Sequence, residues 1–84
     1  MEIIQTPGHL SEHCSLMVPT KDGIYIIAGD VFWWMDNEKQ EINIEKEDQA
    51  HPADMEKLIE SRKKVLQLAD YIIPGHGKMF KSPK

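Results

Sequence analysis

A proline and two glycines follow the last apolar run of this chain, and they limit the secondary structure that the run can form. Residues 69–77 read Ala-Asp-Tyr-Ile-Ile-Pro-Gly-His-Gly. Tyr-Ile-Ile at residues 71–73 favours a β-strand, whereas Pro74 has no backbone N–H for a sheet ladder, so we expect the strand to stop there. The glycines beside His76 allow unusual backbone angles and let another group come close. The pattern predicts a short buried strand that presents a histidine ring at a tight turn.

Two earlier stretches have the same arrangement. Thr-Pro-Gly-His at residues 6–9 places His9 after a Pro-Gly turn, and Ile-Ile-Ala-Gly-Asp at residues 26–30 places Asp30 at the end of an apolar run. Strand ends cluster along one edge of a sheet, and imidazole and carboxylate groups are common metal ligands. We therefore expect His9, Asp30 and His76 to converge at one edge, as the ligands of a metal ion.

The composition is typical of a small globular domain. With 84 residues, the chain has room for one domain with a thin core, predicted to span residues 1–84. A net charge of -4 gives no electrostatic reason to expect nucleic acid or an anionic membrane as a partner. No apolar run approaches the length of a membrane span, and the N-terminus lacks a signal-peptide pattern. The single cysteine, Cys14, excludes an internal disulfide framework and favours a cytoplasmic location.

The periodicity predicts three strands, then a helix, then one further strand. The strands are expected at residues 2–5, 14–18, 24–29 and 71–73. Asp-Gly at residues 22–23 indicates a hairpin between the second and third strands. Apolar residues recur at helical spacing over residues 52–69, where Arg62 interrupts the apolar stripe and is expected to extend outward. Residues 78–84 are expected to form a polar tail.

Two segments between the third strand and the helix are interpreted separately. Residues 31–35 read Val-Phe-Trp-Trp-Met, too apolar for a solvated loop. The segment either caps the core or forms a pocket wall or partner surface, because Trp and Met are enriched at contact sites. Residues 36–49 are acidic and polar, which predicts a solvated loop with one marginal strand at most.

The three His and Asp motifs resemble the third, fourth and fifth metal motifs of the metallo-β-lactamase superfamily, in the same order. The helix followed by Ala-Asp-Tyr-Ile-Ile-Pro-Gly-His-Gly is similar to the ending of that family's glyoxalase II-like branch. Each motif alone is weak, whereas three in order are strong. The resemblance implies an α/β (α+β) fold, half of the family's αβ/βα sandwich, with about four mostly antiparallel strands and one main helix.

The chain departs from the family because its four histidines, at positions 9, 13, 51 and 76, do not form the earlier His-x-His-x-Asp-His motif. It therefore resembles only the C-terminal half. The resemblance assigns His9 to one metal, His76 to the other, and Asp30 as the bridging, catalytic carboxylate. Zinc, or alternatively iron or manganese, would occupy a partial site and support metal-assisted hydrolysis.

Several residues have competing interpretations. His-Leu-Ser-Glu-His at residues 9–13 matches the inverted zinc-protease motif, but the Pro-Gly turn before it and the strand after it leave little room for the required helix. His13 is expected to be a surface or turn residue beside the site, and His51 a helix-start residue. Cys14 is expected to be a half-buried strand residue rather than a nucleophile. Each candidate ligand can instead be an ordinary turn or cap residue.

The resemblance leaves three function classes open. The first is one half of a metal-dependent hydrolase, completed by a partner chain that supplies the N-terminal half or by a second copy. The second is a non-catalytic remnant that acts as an assembly or binding module, and the third is an iron-dependent oxygenase. We expect a homodimer formed through the exposed face of the sheet, since one helix covers only one face.

Overall fold

A computed structural model describes residues 1–8, 13–34, 38–46 and 55–83. Its elements in chain order are β1 (Glu2–Gln5), β2 (Cys14–Thr20), β3 (Gly23–Trp33), α1 (Met55–Leu68), β4 (Tyr71–His76) and β5 (Phe80–Lys81). The five strands form one sheet in the order β1-β2-β3-β4-β5. The β3–β4 pair is parallel and the other neighbouring pairs are antiparallel. This small α+β arrangement of a mostly antiparallel sheet and one helix confirms the predicted fold class, which is compatible with half of a sandwich.

The β2–β3 hairpin forms where the Asp-Gly signal predicts it. Asp22 donates its backbone N–H to the Thr20 hydroxyl at 3.2 Å, and that hydroxyl donates to the Gly23 carbonyl at 2.8 Å. At the same end of β3, the Asp70 carboxylate accepts the Ile24 backbone N–H at 2.7 Å, and Asp70 donates its own N–H to the Ile24 carbonyl at 2.8 Å. The start of β3 is therefore fixed both to β2 and to the residue that directly precedes β4.

Four expected boundaries are wrong. The second strand, expected to end at Val18, continues through Pro19 to Thr20. The strand predicted to stop at Pro74 continues to His76, because β5 pairs only with Tyr71 and Ile72 and leaves one side of Pro74 without a ladder partner. The strand predicted to end near Asp30 continues to Trp33 through a bulge at Gly29, which has φ 55°. The polar tail contains the short strand β5.

The core lies between α1 and one face of the sheet, and it includes much of the aromatic segment. Val31, Phe32 and Trp34 are buried, so the core interpretation of residues 31–34 is confirmed, while Met35 lies outside the described residues. The Phe32 and Trp34 rings also pack edge-on against Phe80 of β5. The buried apolar cluster consists of Ile4, Ile26, Ala28, Val31, Phe32, Trp34, Val65, Ala69 and Ile72.

Arg62 does not extend outward as expected, since it is 1% exposed. Its Nε donates to the Val31 carbonyl at 2.9 Å, and its Nη1 donates to the carbonyls of Ile44 at 2.9 Å and Lys46 at 2.7 Å. The guanidinium has enough donors to serve several carbonyls at once, which is why an arginine is accommodated within the apolar stripe. It ties α1 to β3 and to the polar segment 38–46, whose described residues form no strand.

The face of the sheet opposite α1 is accessible to solvent, and we call it the open face. Ile3 is 72% exposed and Ile27 is 42% exposed. The rings of Tyr25 and Tyr71 stack there with centroids 4.8 Å apart. The open face consists of Ile3, Leu16, Val18, Tyr25, Ile27, Tyr71 and Ile73. Within the described ranges, no helix has the length and hydropathy that crossing a bilayer requires.

Candidate functional site

The parallel pairing of β3 and β4 brings Asp30 and His76 to the same end of the sheet. Gly29 pairs with Pro74, and Trp33 pairs with His76. A Cβ atom added to Gly75 would lie 3.0 Å from Asp30 Oδ1, so the Asp30 carboxylate lies directly beside the residue that precedes His76. His9, the third predicted ligand, lies outside the described residues, as do Glu12 and His51.

The His76 imidazole is oriented by the backbone of Trp34. Trp34 donates its N–H to the His76 carbonyl at 2.9 Å, and His76 Nδ1 contacts the Trp34 carbonyl oxygen. A carbonyl can only accept, so the neutral ring carries its proton on Nδ1 and its lone pair on Nε2. Metal-binding histidines commonly have this arrangement, in which the other ring nitrogen donates to a backbone carbonyl.

The turn after His76 is held by one glutamine side chain. Gln40 Oε1 accepts the Lys78 backbone N–H at 3.0 Å, and Gln40 Nε2 donates to the Lys78 carbonyl at 2.6 Å. The amide thereby mimics one rung of a β-ladder. This contact fixes the backbone two residues beyond His76, a role that the polar composition of residues 36–49 did not reveal.

Asp30 is exposed, and its backbone is held by a histidine that the sequence pattern placed outside the ligand set. Asp30 donates its N–H to His13 Nε2 at 3.2 Å. His13 is half-buried and lies beside Asp30, where the sequence pattern predicted a surface or turn residue. No local sequence pattern marks this contact, because it depends on the register of β1 against β2. Gln5 pairs with Cys14, which puts Thr6 opposite His13.

Helix α1 supports the turn that precedes His9. Ser61 donates its hydroxyl to the Pro7 carbonyl at 2.7 Å. A Cβ atom on Gly8 would lie 2.3 Å from Leu58 Cα, so only glycine lets the turn approach the helix this closely. The Thr-Pro-Gly motif is therefore fixed by helix packing up to the residue before His9.

The described residues contain no cluster of potential metal ligands. Across residues 1–8, 13–34, 38–46 and 55–83, no three His, Cys, Asp or Glu side chains are grouped closely enough to hold an ion. Cys14 is exposed at the start of β2 rather than half-buried as expected. Of the three predicted ligands, the described residues include Asp30 and His76, which β3–β4 pairing brings to one edge.

Comparison with known proteins places the whole chain against one segment of longer relatives. It is 38% identical to metallo-beta-lactamase domain-containing protein 1 of Xenopus laevis and 39% identical to the protein of that name from Homo sapiens, each over 96% of the chain. It is also 35% identical to an uncharacterised protein of Caenorhabditis elegans. The alignments cover 32%, 29% and 22% of these relatives, so the chain spans about a third of their length or less. No protein-family model matches the chain.

Proposed function

Because this chain belongs to the metallo-β-lactamase superfamily, we propose that it forms the C-terminal part of a metal-dependent hydrolase, with His9, Asp30 and His76 as metal ligands. The relatives that carry the domain name match 96% of the chain. The order of the three motifs supports the ligand set, and the parallel pairing that brings Asp30 and His76 to one edge of the sheet agrees with it. The glyoxalase II-like ending favours thioesters as the first substrates to test.

The observation that carries the proposal is the orientation of the His76 ring. Its Nδ1 atom donates to the Trp34 carbonyl, the arrangement in which metal-binding histidines coordinate through Nε2. The Asp30 carboxylate lies beside Gly75 and supplies the hard oxygen ligand that zinc, iron or manganese accepts together with imidazole. When bound, zinc would lower the pKa of a coordinated water to about 7 and would polarise the scissile group.

We propose that the remaining ligands come either from a partner chain that supplies an N-terminal half or from a second copy of this chain. The relatives are about three times longer than the aligned segment or more, which leaves most of their length for such a half. The apolar open face is a surface on which that half could pack. A reducing, cytoplasmic setting suits the exposed thiol of Cys14.

The alternative is a non-catalytic binding or assembly module that uses the same open face. It is favoured by the incomplete group of metal ligands among the described residues. The two functions differ in one respect that can be measured, since only the first requires a metal ion.

Metal content and zinc titration of the purified chain test the proposal. We expect calorimetric zinc binding that is lost in His76→Ala and Asp30→Asn, with little zinc retained through purification because the site has few ligands. His51→Ala is the matched control, because it removes a histidine outside the three motifs and should bind zinc as the parent does. All proteins carry Cys14→Ser, so that the exposed thiol does not compete. Binding that is absent from the parent, or unchanged in both ligand variants, would contradict the proposal.

A further inference from the structure

We infer that His13 is a positioning residue for Asp30, which it holds through a chain of hydrogen bonds that fixes its tautomer. The inference deepens the proposed function, because its consequence for metal binding rests on Asp30 being a ligand. His13 itself contributes no ligand atom, since its Nε2 lone pair accepts the Asp30 backbone N–H at 3.2 Å.

The series of hydrogen bonds begins where the backbone pairing of β2 and β3 ends. The register of β2 and β3 stops at the Leu16–Ile27 pair, one residue before the bulged part of β3. Beyond that pair, side chains rather than backbone groups of the β2 side bond to the β3 backbone. The Ser15 hydroxyl donates to the Ala28 carbonyl at 3.4 Å, and His13 accepts from Asp30. Two residues of the β2 side thus bind the backbone immediately before and after Gly29.

The two contacts are joined by a buried threonine. The Thr6 hydroxyl lies 3.1 Å from His13 Nδ1 and 2.7 Å from the Ser15 hydroxyl. Thr6 also donates its backbone N–H to the His13 carbonyl at 3.0 Å, which fixes the two residues opposite each other. Thr6 is 0% exposed and Ser15 is 3% exposed, so water cannot easily replace either hydroxyl.

The two ends of this series of hydrogen bonds, Asp30 N–H and the Ala28 carbonyl, determine the direction of every bond in it. The Asp30 N–H can only donate, so His13 Nε2 must accept and the neutral ring must carry its proton on Nδ1. Nδ1–H then donates to Thr6, Thr6 donates to Ser15, and Ser15 donates to the Ala28 carbonyl. Because each hydroxyl both accepts and donates, all four bonds are satisfied in this one direction.

The result is that Asp30 is held from two sides. His13 accepts the backbone N–H of Asp30, and the Oδ1 atom of Asp30 lies against Gly75 of β4. A Cβ atom on Gly29 would lie 3.0 Å from His13 Nε2, so the ring also occupies the space above the bulge. Loss of the ring would free the bulge and let the Asp30 carboxylate turn away from the position it shares with β4.

The first test measures the tautomer and needs no metal. Long-range ¹H–¹⁵N correlation spectra of the chain with Cys14→Ser should show His13 protonated on Nδ1 and unprotonated on Nε2. Thr6→Val, which removes the acceptor of that proton, should shift this tautomer equilibrium and speed exchange of the Asp30 amide. Thr20→Val is the matched control, since it removes an exposed hydroxyl in the distant hairpin turn. A His13 protonated on Nε2 in the parent would overturn the inference.

The second test measures metal affinity with Co²⁺, whose visible spectrum also reports ligand geometry. We expect His13→Ala to bind Co²⁺ about 10-fold more weakly, a loss typical of residues that orient a ligand. His13→Gln keeps an acceptor for the Asp30 N–H and should recover most of the affinity and the parental spectrum. Equal affinity in the alanine variant, or no recovery by glutamine in a folded protein, would overturn the inference. If the parent binds no Co²⁺, the proposed function fails, whereas the tautomer measurement still decides the role of His13.

Discussion

Gly75 shows at the scale of one residue why the candidate site depends on close backbone packing. A Cβ atom at this position would lie 2.8 Å from the carbonyl carbon and oxygen of Gly29, in addition to its contact with Asp30 Oδ1. Distances under about 3 Å from backbone atoms require the strands to separate, because backbone cannot rotate away as a flexible side chain can. The glycine before His76 therefore sets the distance between β3 and β4 at the site.

Replacing Gly75 with alanine should destabilise the protein and disturb the site together. We expect a loss of about 1–3 kcal/mol in the free energy of unfolding, the usual cost of overpacking, measured by urea denaturation. Zinc affinity should fall as well, since the added methyl group pushes on the Asp30 carboxylate. Lys78→Ala, at an exposed position two residues beyond His76, is the control and should change neither quantity. Unaltered stability in Gly75→Ala would show that the strands lie farther apart than described.

At the scale of elements, α1 covers the core and also binds the backbone of neighbouring segments through its side chains. Its Ser61 hydroxyl holds the Pro7 carbonyl, and its Arg62 side chain holds the carbonyls of Val31, Ile44 and Lys46. Val31 directly follows Asp30, so the helix supports the backbone on both sides of the candidate site. Burying a guanidinium is costly, and its bonds to carbonyls offset that cost.

Exchanging Arg62 for methionine tests whether the hydrogen bonds of Arg62, and not only the burial of its side chain, stabilise the protein. The variant keeps apolar volume but leaves the three carbonyls without their donor, so we expect a loss of about 2–4 kcal/mol in the free energy of unfolding. Lys63→Met is the matched control on the neighbouring exposed position and should stay within about 0.5 kcal/mol of the parent. A folded Arg62→Met protein as stable as the control would mean that the buried bonds contribute nothing.

At the scale of the whole molecule, the open face is expected to bind a partner. Its residues are apolar, it lies opposite the only helix in the described part of the chain, and Ile3 and Ile27 are largely exposed. Contiguous apolar patches of this kind are rare on stable monomers. The sequence pattern therefore predicts self-association, and closed two-fold pairing is the commonest arrangement because it covers both patches at once.

Sedimentation of the purified chain at micromolar concentration measures this association. We expect a dimer for the parent and a monomer for Ile27→Lys, which places a charge in the middle of the open face. Leu68→Lys is the control, since Leu68 is 38% exposed on α1, away from the open face. A parent that sediments as a stable 9.7 kDa monomer without a partner chain would contradict the prediction.

Catalysis is also expected to depend on assembly. A site with few ligands holds metal weakly, so the isolated monomer should hydrolyse thioesters and phosphodiesters poorly. Rates measured for the monomeric Ile27→Lys variant and for the parent, each with added zinc, make the comparison. Robust hydrolysis by a demonstrated monomer that disappears in His76→Ala would show that the single chain already contains a complete site.

The sequence by itself determined those features that depend on neighbouring residues. The Asp-Gly pair specified the β2–β3 hairpin, the apolar spacing specified α1, and the order of the elements followed from both. Three motifs, ending at His9, Asp30 and His76, identified the superfamily and the candidate ligands. These signals are local because turn geometry and helical periodicity depend on residues a few positions apart.

Only the tertiary structure decided how distant residues meet. Pro74 can remain within a strand because β5 ends before it, and Arg62 can be buried because three carbonyls from two other segments reach it. His13 acquired its contact with Asp30 because the β2–β3 ladder ends at Leu16 and Ile27, which leaves the next backbone N–H to a side chain. Such partners lie 16 to 31 positions apart along the chain, and no local pattern encodes them, since only the folded sheet brings donor and acceptor within bonding distance.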